Sequence, residues 1–387
     1  MSREMPEGWR AGKFDTFITL QRGFDLPVQD RRQGTFAVIA SNGQIDSHSE
    51  ARIPGPAVVT GRSGTLGKVF FIPEGCWPLN TTLYVRDFHG NDPEFVTWFL
   101  KQFKLDRFGT GTGVPTLNRN VVHEVEVTFP PLHEQRRIAE ILSSVDEAIA
   151  ATRAVIEQTR KVKRGVLERL LAKGIGHTRF KQTEIGEIPE EWTVKSVDDL
   201  CVLSNGNGFR PPDWADSGLP IIRIQNLNGS QNFNYFNGTP LEKWLIHPGD
   251  LLFAWAGVRG VSFGPTIWGG PLGVLNQHIF KISCREQVDK SWLFHMMRLI
   301  TARIEAKAHG FKDSLLHVHK KEITAQLVPV PSHAEQVQIS ARLAGVQAAE
   351  ELAASSLQQL LATKSALMSD LLTGRKRVTD ALPLAAE

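Results

Sequence analysis

The chain is 387 residues long, with 41% hydrophobic and 22% charged residues, the balance of a folded protein of two or three domains rather than of a disordered chain. No stretch reaches the 18 uninterrupted apolar residues of a membrane-spanning helix, and the opening MSREMPEGWR lacks the apolar run of a secretory signal. The net charge of +3 is spread thinly: residues 1–130 hold 14 basic and 14 acidic groups, 181–330 hold 15 of each, and 131–180 lean basic with 10 against 6. Bulk charge therefore does not mark a nucleic-acid binder, and any such contact must come from locally placed arginines and amides.

In chain order, residues 1–130 read as a first mixed α/β domain. Residues 58–73 and 81–87 have the pattern of strands around turns, and 93–103 (PEFVTWFLKQF) has helical spacing. Residues 131–174 read as one long helix, opened by Pro131 and stopped by Gly174. Steps of four and three from Ile138 land on Leu142, Val145, Ile149, Ile156, Val166 and Leu170, a heptad seam that also admits Lys163. Residues 175–330 read as a second mixed domain, with strand-like runs at 219–227, 249–257, 261–269 and 277–283 and a helical stretch at 291–304. Residues 331–374 form a second long helix whose seam is Ile339, Leu343, Val346, Leu357, Leu360, Leu367 and Leu371, with Glu350 and Lys364 inside it. Residues 375–387 are a tail.

The order domain, helix, domain, helix is an internal repeat. At a shift of 201 residues Glu134-Gln135 match Glu335-Gln336, Ile138, Leu142 and Val145 match Ile339, Leu343 and Val346, and Lys163 matches Lys364. Upstream, residues 5–9 (MPEGW) resemble 188–192 (IPEEW), whereas the centres of the two domains diverge. The expected fold class is α+β: two mixed domains, each followed by a helix of roughly 60 Å, the helices pairing as an antiparallel coiled coil with pseudo-twofold symmetry. The matched lysines either set the register of the seam or reach out to solvent. Glu134, Gln135, Arg136 and Arg137, with Glu335 and Gln336, are expected on an outer face, free for a partner.

No catalytic constellation emerges. Cys76, Cys201 and Cys284 stand far apart without C-x-x-C spacing, which excludes a zinc ribbon or disulfide framework and predicts buried structural thiols in a reducing cytoplasm. The run from Gly61 to Val69 has one residue too many for a phosphate loop and Val69 where Ser or Thr should stand. Pro211-Pro212-Asp213-Trp214 lacks the polar–Pro–Pro–aromatic order of amino-methyltransferases, and His317 and His319 read as a solvated strand end rather than as metal ligands. What remains is a set of turns bearing groups that can read DNA: Arg22, Arg62, Ser63, Gly64, Lys68, Asn80, Thr81, Thr82, Asn118 and Arg119 in the first domain, and Arg210, Arg223, Asn226, Arg259, Asn276, Gln277 and His278 in the second. Arginine suits guanine edges and Asn or Gln suits adenine, and glycine beside them lets backbone approach phosphate.

The segments GRSGTLGKVFFIPEGCWPLNTTLYV, VPTLNRN followed by PPLHEQRRIAEIL, RGVLERLLAKG, TEIGEIPEEW, LLFAWAGVRG and LNQHIFKI resemble the specificity subunits of type I restriction–modification systems, along essentially the whole chain. The resemblance implies two target recognition domains, each reading one half of a split DNA site, and helices that act as a ruler and bind two modification subunits. Those partners would carry S-adenosylmethionine and methylate adenine at N6. Restriction subunits using ATP and magnesium would add cleavage, and this chain itself would be non-catalytic and bind no cofactor. The residues alone leave a second reading open: a structural adaptor with two protein-binding domains on a coiled-coil spacer.

Overall fold

The computed structural model describes residues 6–111, 113–307 and 315–378. Two compact units divide the chain: Met1–Val155 with Ala353–Glu387, and Ile156–Leu352. The expected domain boundaries follow secondary structure, whereas these units cut through both long helices, Leu132–Lys173 and His333–Leu371. Each unit thus owns a globular core and the helix ends that pack on it.

In the first unit an antiparallel sheet runs in the spatial order Thr19–Arg22, Thr82–Asp87, Ala57–Gly61, Val69–Ile72. A second sheet has the order Gly43–His48, Phe36–Ala40, Gly75–Pro78, Ile53–Pro54, with its central pair parallel. The helix Pro93–Phe103 begins at Asp92, whose carboxylate accepts from the Phe95 N–H at 2.9 Å, with proline at the first helical position. Its buried face joins Phe14, Phe17 and Phe129 in an aromatic core in which the Phe17 and Phe129 rings stack at 4.6 Å.

The second unit repeats this topology strand for strand. One sheet has the order Cys201–Asn205, Ile279–Cys284, Leu251–Ala254, Gly264–Ile267, all antiparallel. The other has Asn234–Phe236, Leu219–Ile222, Gly273–Leu275, Leu245–Ile246, again with a parallel central pair. The helix Lys290–Lys307 takes the place of Pro93–Phe103, capped by Asp289. The hairpin Phe180–Thr183/Gly186–Pro189 has no counterpart among the described residues of the first unit. Cys201 and Cys284, distant in sequence, are direct partners across one strand pair. Both are reduced, and burial pushes the thiols of Cys201 and of Cys76 up to about 12.

Within each unit the two long helices run antiparallel. In the first, Ile138 and Leu142 share a core with Leu371 and Leu372, flanked by Leu367 and Met368. In the second, Leu170 and Leu171 share one with Ile339 and Leu343, flanked by Val166. Every expected seam position is buried or half-buried, including Val145, Ile149, Ile156, Val346, Leu357 and Leu360. The seam lysines neither face open solvent nor pair with each other. Lys364 bonds Asp146 at 2.5 Å and lies 4.8 Å over the Trp98 ring, while Lys163 bonds Glu350 at 3.0 Å, where Arg160 also binds.

The expected free outer face at the helix starts needs correcting. Glu134 and Gln135 are 1% exposed and Gln336 is 2% exposed. Gln135 accepts the Asp92 N–H at 2.9 Å, and Gln336 accepts the Asp289 N–H at 2.8 Å. Each also donates its amide to the proline carbonyl five residues before it, Pro130 or Pro331. The glutamine therefore pins the start of a long helix to the cap of its neighbour. Glu134 accepts from the Trp9 indole at 3.2 Å and from Nε and Nη2 of the Arg377 guanidinium at 2.9 Å each. Glu335 accepts from the Trp192 indole, the Ile175 N–H and His177, all at 2.9 Å. These four side chains are turned inward because each completes a polar network that would otherwise be orphaned. Of the six residues expected on the outer face only Arg136 is exposed; Arg137 is half-buried and bonds Glu140.

Candidate nucleic-acid interface

In the first unit, a groove of about 1190 Å³ opens at the end of the four-stranded antiparallel sheet. Strand Thr19–Arg22 supplies Gln21 and Arg22, strand Thr82–Asp87 supplies Arg86, and the turn after Ala57–Gly61 supplies Arg62. The short helix Arg119–His123 closes the wall with Arg119, Asn120 and His123. Four guanidiniums face one carboxylate, Asp25, so the groove is basic although the unit as a whole is not. Its shape depends on Gly23: a Cβ there would lie 2.2 Å from the Leu79 carbonyl oxygen, a clash that only glycine avoids. Gly206 meets the same limit in the second unit, against Leu275.

The helix Arg119–His123 holds the floor in register. Asn118 caps it by accepting the Asn120 N–H at 3.0 Å. Arg119 donates to the Leu20 carbonyl at 3.4 Å, and His123 Nε2 accepts the Leu20 N–H at 3.0 Å. Burial holds the His123 imidazole below its ordinary range, as an acceptor nitrogen requires. Arg86 and His123 belong to the wall but have no local motif; only the topology brings them beside Arg22 and Arg62.

Other first-domain candidates lie elsewhere. Thr82 is fully buried, its hydroxyl bonded to the Leu79 carbonyl at 2.7 Å, so it shapes the turn and offers nothing to DNA. Thr81 accepts the N–H groups of Arg62 and Ser63 through its carbonyl. Ser63 bridges Thr116, and Gly64, at φ +85°, donates to the Pro115 carbonyl. Asn80 bonds Asp25, and Lys68 reaches the Asn42 carbonyl at 3.5 Å.

In the second unit Asn226 also needs correcting. It is 5% exposed and spends its amide on its own loop, donating to the Ser230 and Asn232 carbonyls and accepting the Arg223 N–H. Arg223 stacks 4.5 Å from the Trp214 ring, and its half-buried position pulls the guanidinium below its ordinary value. Arg210 is exposed beside Asp213, and Arg259 is half-buried in the turn after Ala256–Val258. Asn276, Gln277 and His278 form the turn before strand Ile279–Cys284, with Gln277 exposed and the other two half-buried. Among the described residues no cluster of His, Cys, Asp or Glu could hold a metal ion, and no helix is long and apolar enough to cross a membrane.

A model of the type I restriction modification DNA specificity domain matches residues 6–159 and again 189–362. The chain belongs to this family and carries two copies of its DNA recognition domain. Relatives include the type I restriction enzyme MjaVIII specificity subunit of Methanocaldococcus jannaschii, 27% identical over 73% of this chain and 70% of that protein. The EcoBI specificity subunit of Escherichia coli is 26% identical over 49% of this chain and 40% of its own length. Among solved structures, the type I system S subunit from M. genitalium shares the fold with a TM-score of 0.60 at 14% identity, over 94% of this chain and 96% of that one. The S subunit from Thermoanaerobacter tengcongensis aligns at 0.53 and 17% identity, over 97% and 99%.

Proposed function

We propose that this chain is a non-catalytic reader of a bipartite, asymmetric DNA site. Each recognition domain takes one half-site, and the paired helices set the distance between the halves and recruit two modification subunits. Those partners supply S-adenosylmethionine and methylate adenine at N6; restriction subunits, using ATP and magnesium, add cleavage. The chain itself carries neither cofactor, and its place of action is the cytoplasm. The observation that supports this most directly is the repeated DNA specificity domain, whose first copy has a basic, arginine- and amide-lined groove at the sheet end. Arginines in such a groove can bind base edges in pairs of hydrogen bonds, while neighbouring N–H groups and cations hold phosphates.

The test is to co-express the chain with a modification subunit and map methylated adenines genome-wide. Two unlike half-sites separated by a fixed unread gap are expected. Methylation at scattered single adenines, or none above background, would refute the reading. Arg62→Ala should weaken binding roughly 5- to 150-fold and relax preference at one base, if it reads an edge. A loss shared by all sequences, with a shallower salt slope, would instead make it a phosphate contact. Arg136→Glu, on the exposed helix face, should leave the melting temperature unchanged and reduce co-purification of the modification subunit.

A further inference from the structure

The two domains place different chemistry at one shared position. Backbone pairing fixes the correspondence: Leu117 donates its N–H to the Arg62 carbonyl at 2.7 Å, and Val318 donates to the Trp255 carbonyl at 3.0 Å. Likewise Arg119 bonds the Leu20 carbonyl and Lys320 bonds the Leu203 carbonyl at 2.8 Å. Trp255 therefore holds the place of Arg62, and His317 holds that of Thr116. The Arg62 N–H bonds the Thr81 carbonyl and the Trp255 N–H bonds the His278 carbonyl, so His278 holds the place of Thr81. The outcome is a cluster: the Trp255 ring meets His317 at 4.7 Å and His278 at 5.2 Å, edge-on in both cases. The Trp255 indole N–H, bonded to the Gln277 carbonyl at 3.1 Å, fixes the ring. His317 is exposed, while Trp255 and His278 are half-buried.

We propose that Trp255, His278 and His317 form the base-reading platform of the second domain, and that this half of the protein grips DNA more tightly as pH falls while the first half does not. The proposal rests on the DNA-reading function above. An imidazolium donates from both ring nitrogens and carries charge, which suits guanine O6 and N7 or a phosphate. Histidine is the side chain type whose charge changes between pH 5 and 8. Three of the charged groups on the surrounding strands and helix are engaged. Lys281 pairs with Asp250 at 3.0 Å, Lys320 holds the Leu203 carbonyl, and Glu322 accepts the His319 N–H at 2.7 Å. Arg259 stands on the adjoining turn and keeps its charge throughout. In the first domain the groove cations are all arginines, burial holds the His123 imidazole below its ordinary range, and its Nε2 accepts the Leu20 N–H.

The experiment uses the full chain assembled with its modification subunit and a duplex carrying the methylation-mapped site, with companion duplexes scrambled in either half. Binding is read by fluorescence anisotropy at about pH 8 and about pH 6. Wild type should bind the intact site about ten-fold tighter at the lower pH, the size of one lost or gained specific contact. Scrambling the half read by the second domain should remove that gain, and scrambling the other half should preserve it. The double variant His278→Gln/His317→Gln should flatten the pH response, and Trp255→Ala should weaken binding at both pH values. Trp255→Phe, which keeps an aromatic ring, serves if Trp255→Ala melts early. Specific binding with the pH response unchanged in the double variant, or with no pH response in wild type, overturns the proposal. Failure of wild type to prefer the mapped site at either pH overturns the DNA-reading function itself.

Discussion

Glu134 shows how much a single buried charge can organise. Its carboxylate is 1% exposed and is shared by the Trp9 indole, from the chain's beginning, and Arg377, from near its end. The hydrogen bonds to the Glu134 carboxylate raise the Arg377 guanidinium above its ordinary value. Removing the carboxylate leaves the buried Trp9 indole N–H without its acceptor and the Arg377 guanidinium without its counter-ion, so Glu134→Ala should cost roughly 2–4 kcal/mol. Urea unfolding followed by tryptophan fluorescence measures this, and a change under about 0.5 kcal/mol, typical of surface sites, would contradict the structure. The repetition of Glu134-Gln135 as Glu335-Gln336 was legible in the sequence, but its meaning was not. A polar pair at a helix start reads as solvent-facing until the counter-ion of its glutamate is known, and Arg377 lies 243 residues away. Arg86 and His123 escaped notice for a related reason, since each stands in an ordinary local context and gains its role only through strand order. Thr82 and Asn226 erred the other way, as polar residues in promising turns that the turns themselves consume.

At the scale of elements, the heptad seam was the most readable feature, because its period survives whatever the helix packs against. Leu142 is fully buried in the first core. Leu142→Asp should therefore destabilise that unit by several kcal/mol, seen as an early thermal transition; unaltered melting would mean that the helices do not share this core. Where the short helix meets the long one, the two copies differ. Trp98, between Lys101 and Lys364, is replaced by His295, which is 8% exposed and has Arg298 and Lys163 nearby. Burial first, and those cations next, push its imidazole down to about 4 from 6.5. The unfolded chain thus binds a proton that the folded one refuses. Stability is whole above about pH 6.5 and falls as pH drops toward 4, by roughly 3 kcal/mol across that window. His295→Phe should remove this component of the slope in thermal melts recorded between pH 7 and 4, and an unchanged slope would show that His295 is protonated without penalty.

For the whole molecule, the proposed ruler makes a geometric demand. Adding one heptad to each long helix lengthens each by about 10 Å, so the unread gap between half-sites should grow by roughly three base pairs. Methylation mapping with the lengthened chain would show it, and an unchanged gap would remove the helices from the role of spacer. The division of the chain carries a different consequence, for synthesis. One unit is contiguous, Ile156–Leu352, whereas the other needs Met1–Val155 and Ala353–Glu387 together. On a ribosome, the part encoded in the middle has all of its residues first. The amino-terminal domain waits, with Ile138 and Leu142 uncovered, until Leu371 and the clasp of Arg377 on Glu134 have been made. Domains made earlier commonly fold earlier; here the order is reversed, and a released fragment ending near residue 352 should yield a protease-resistant second half beside a digestible first one.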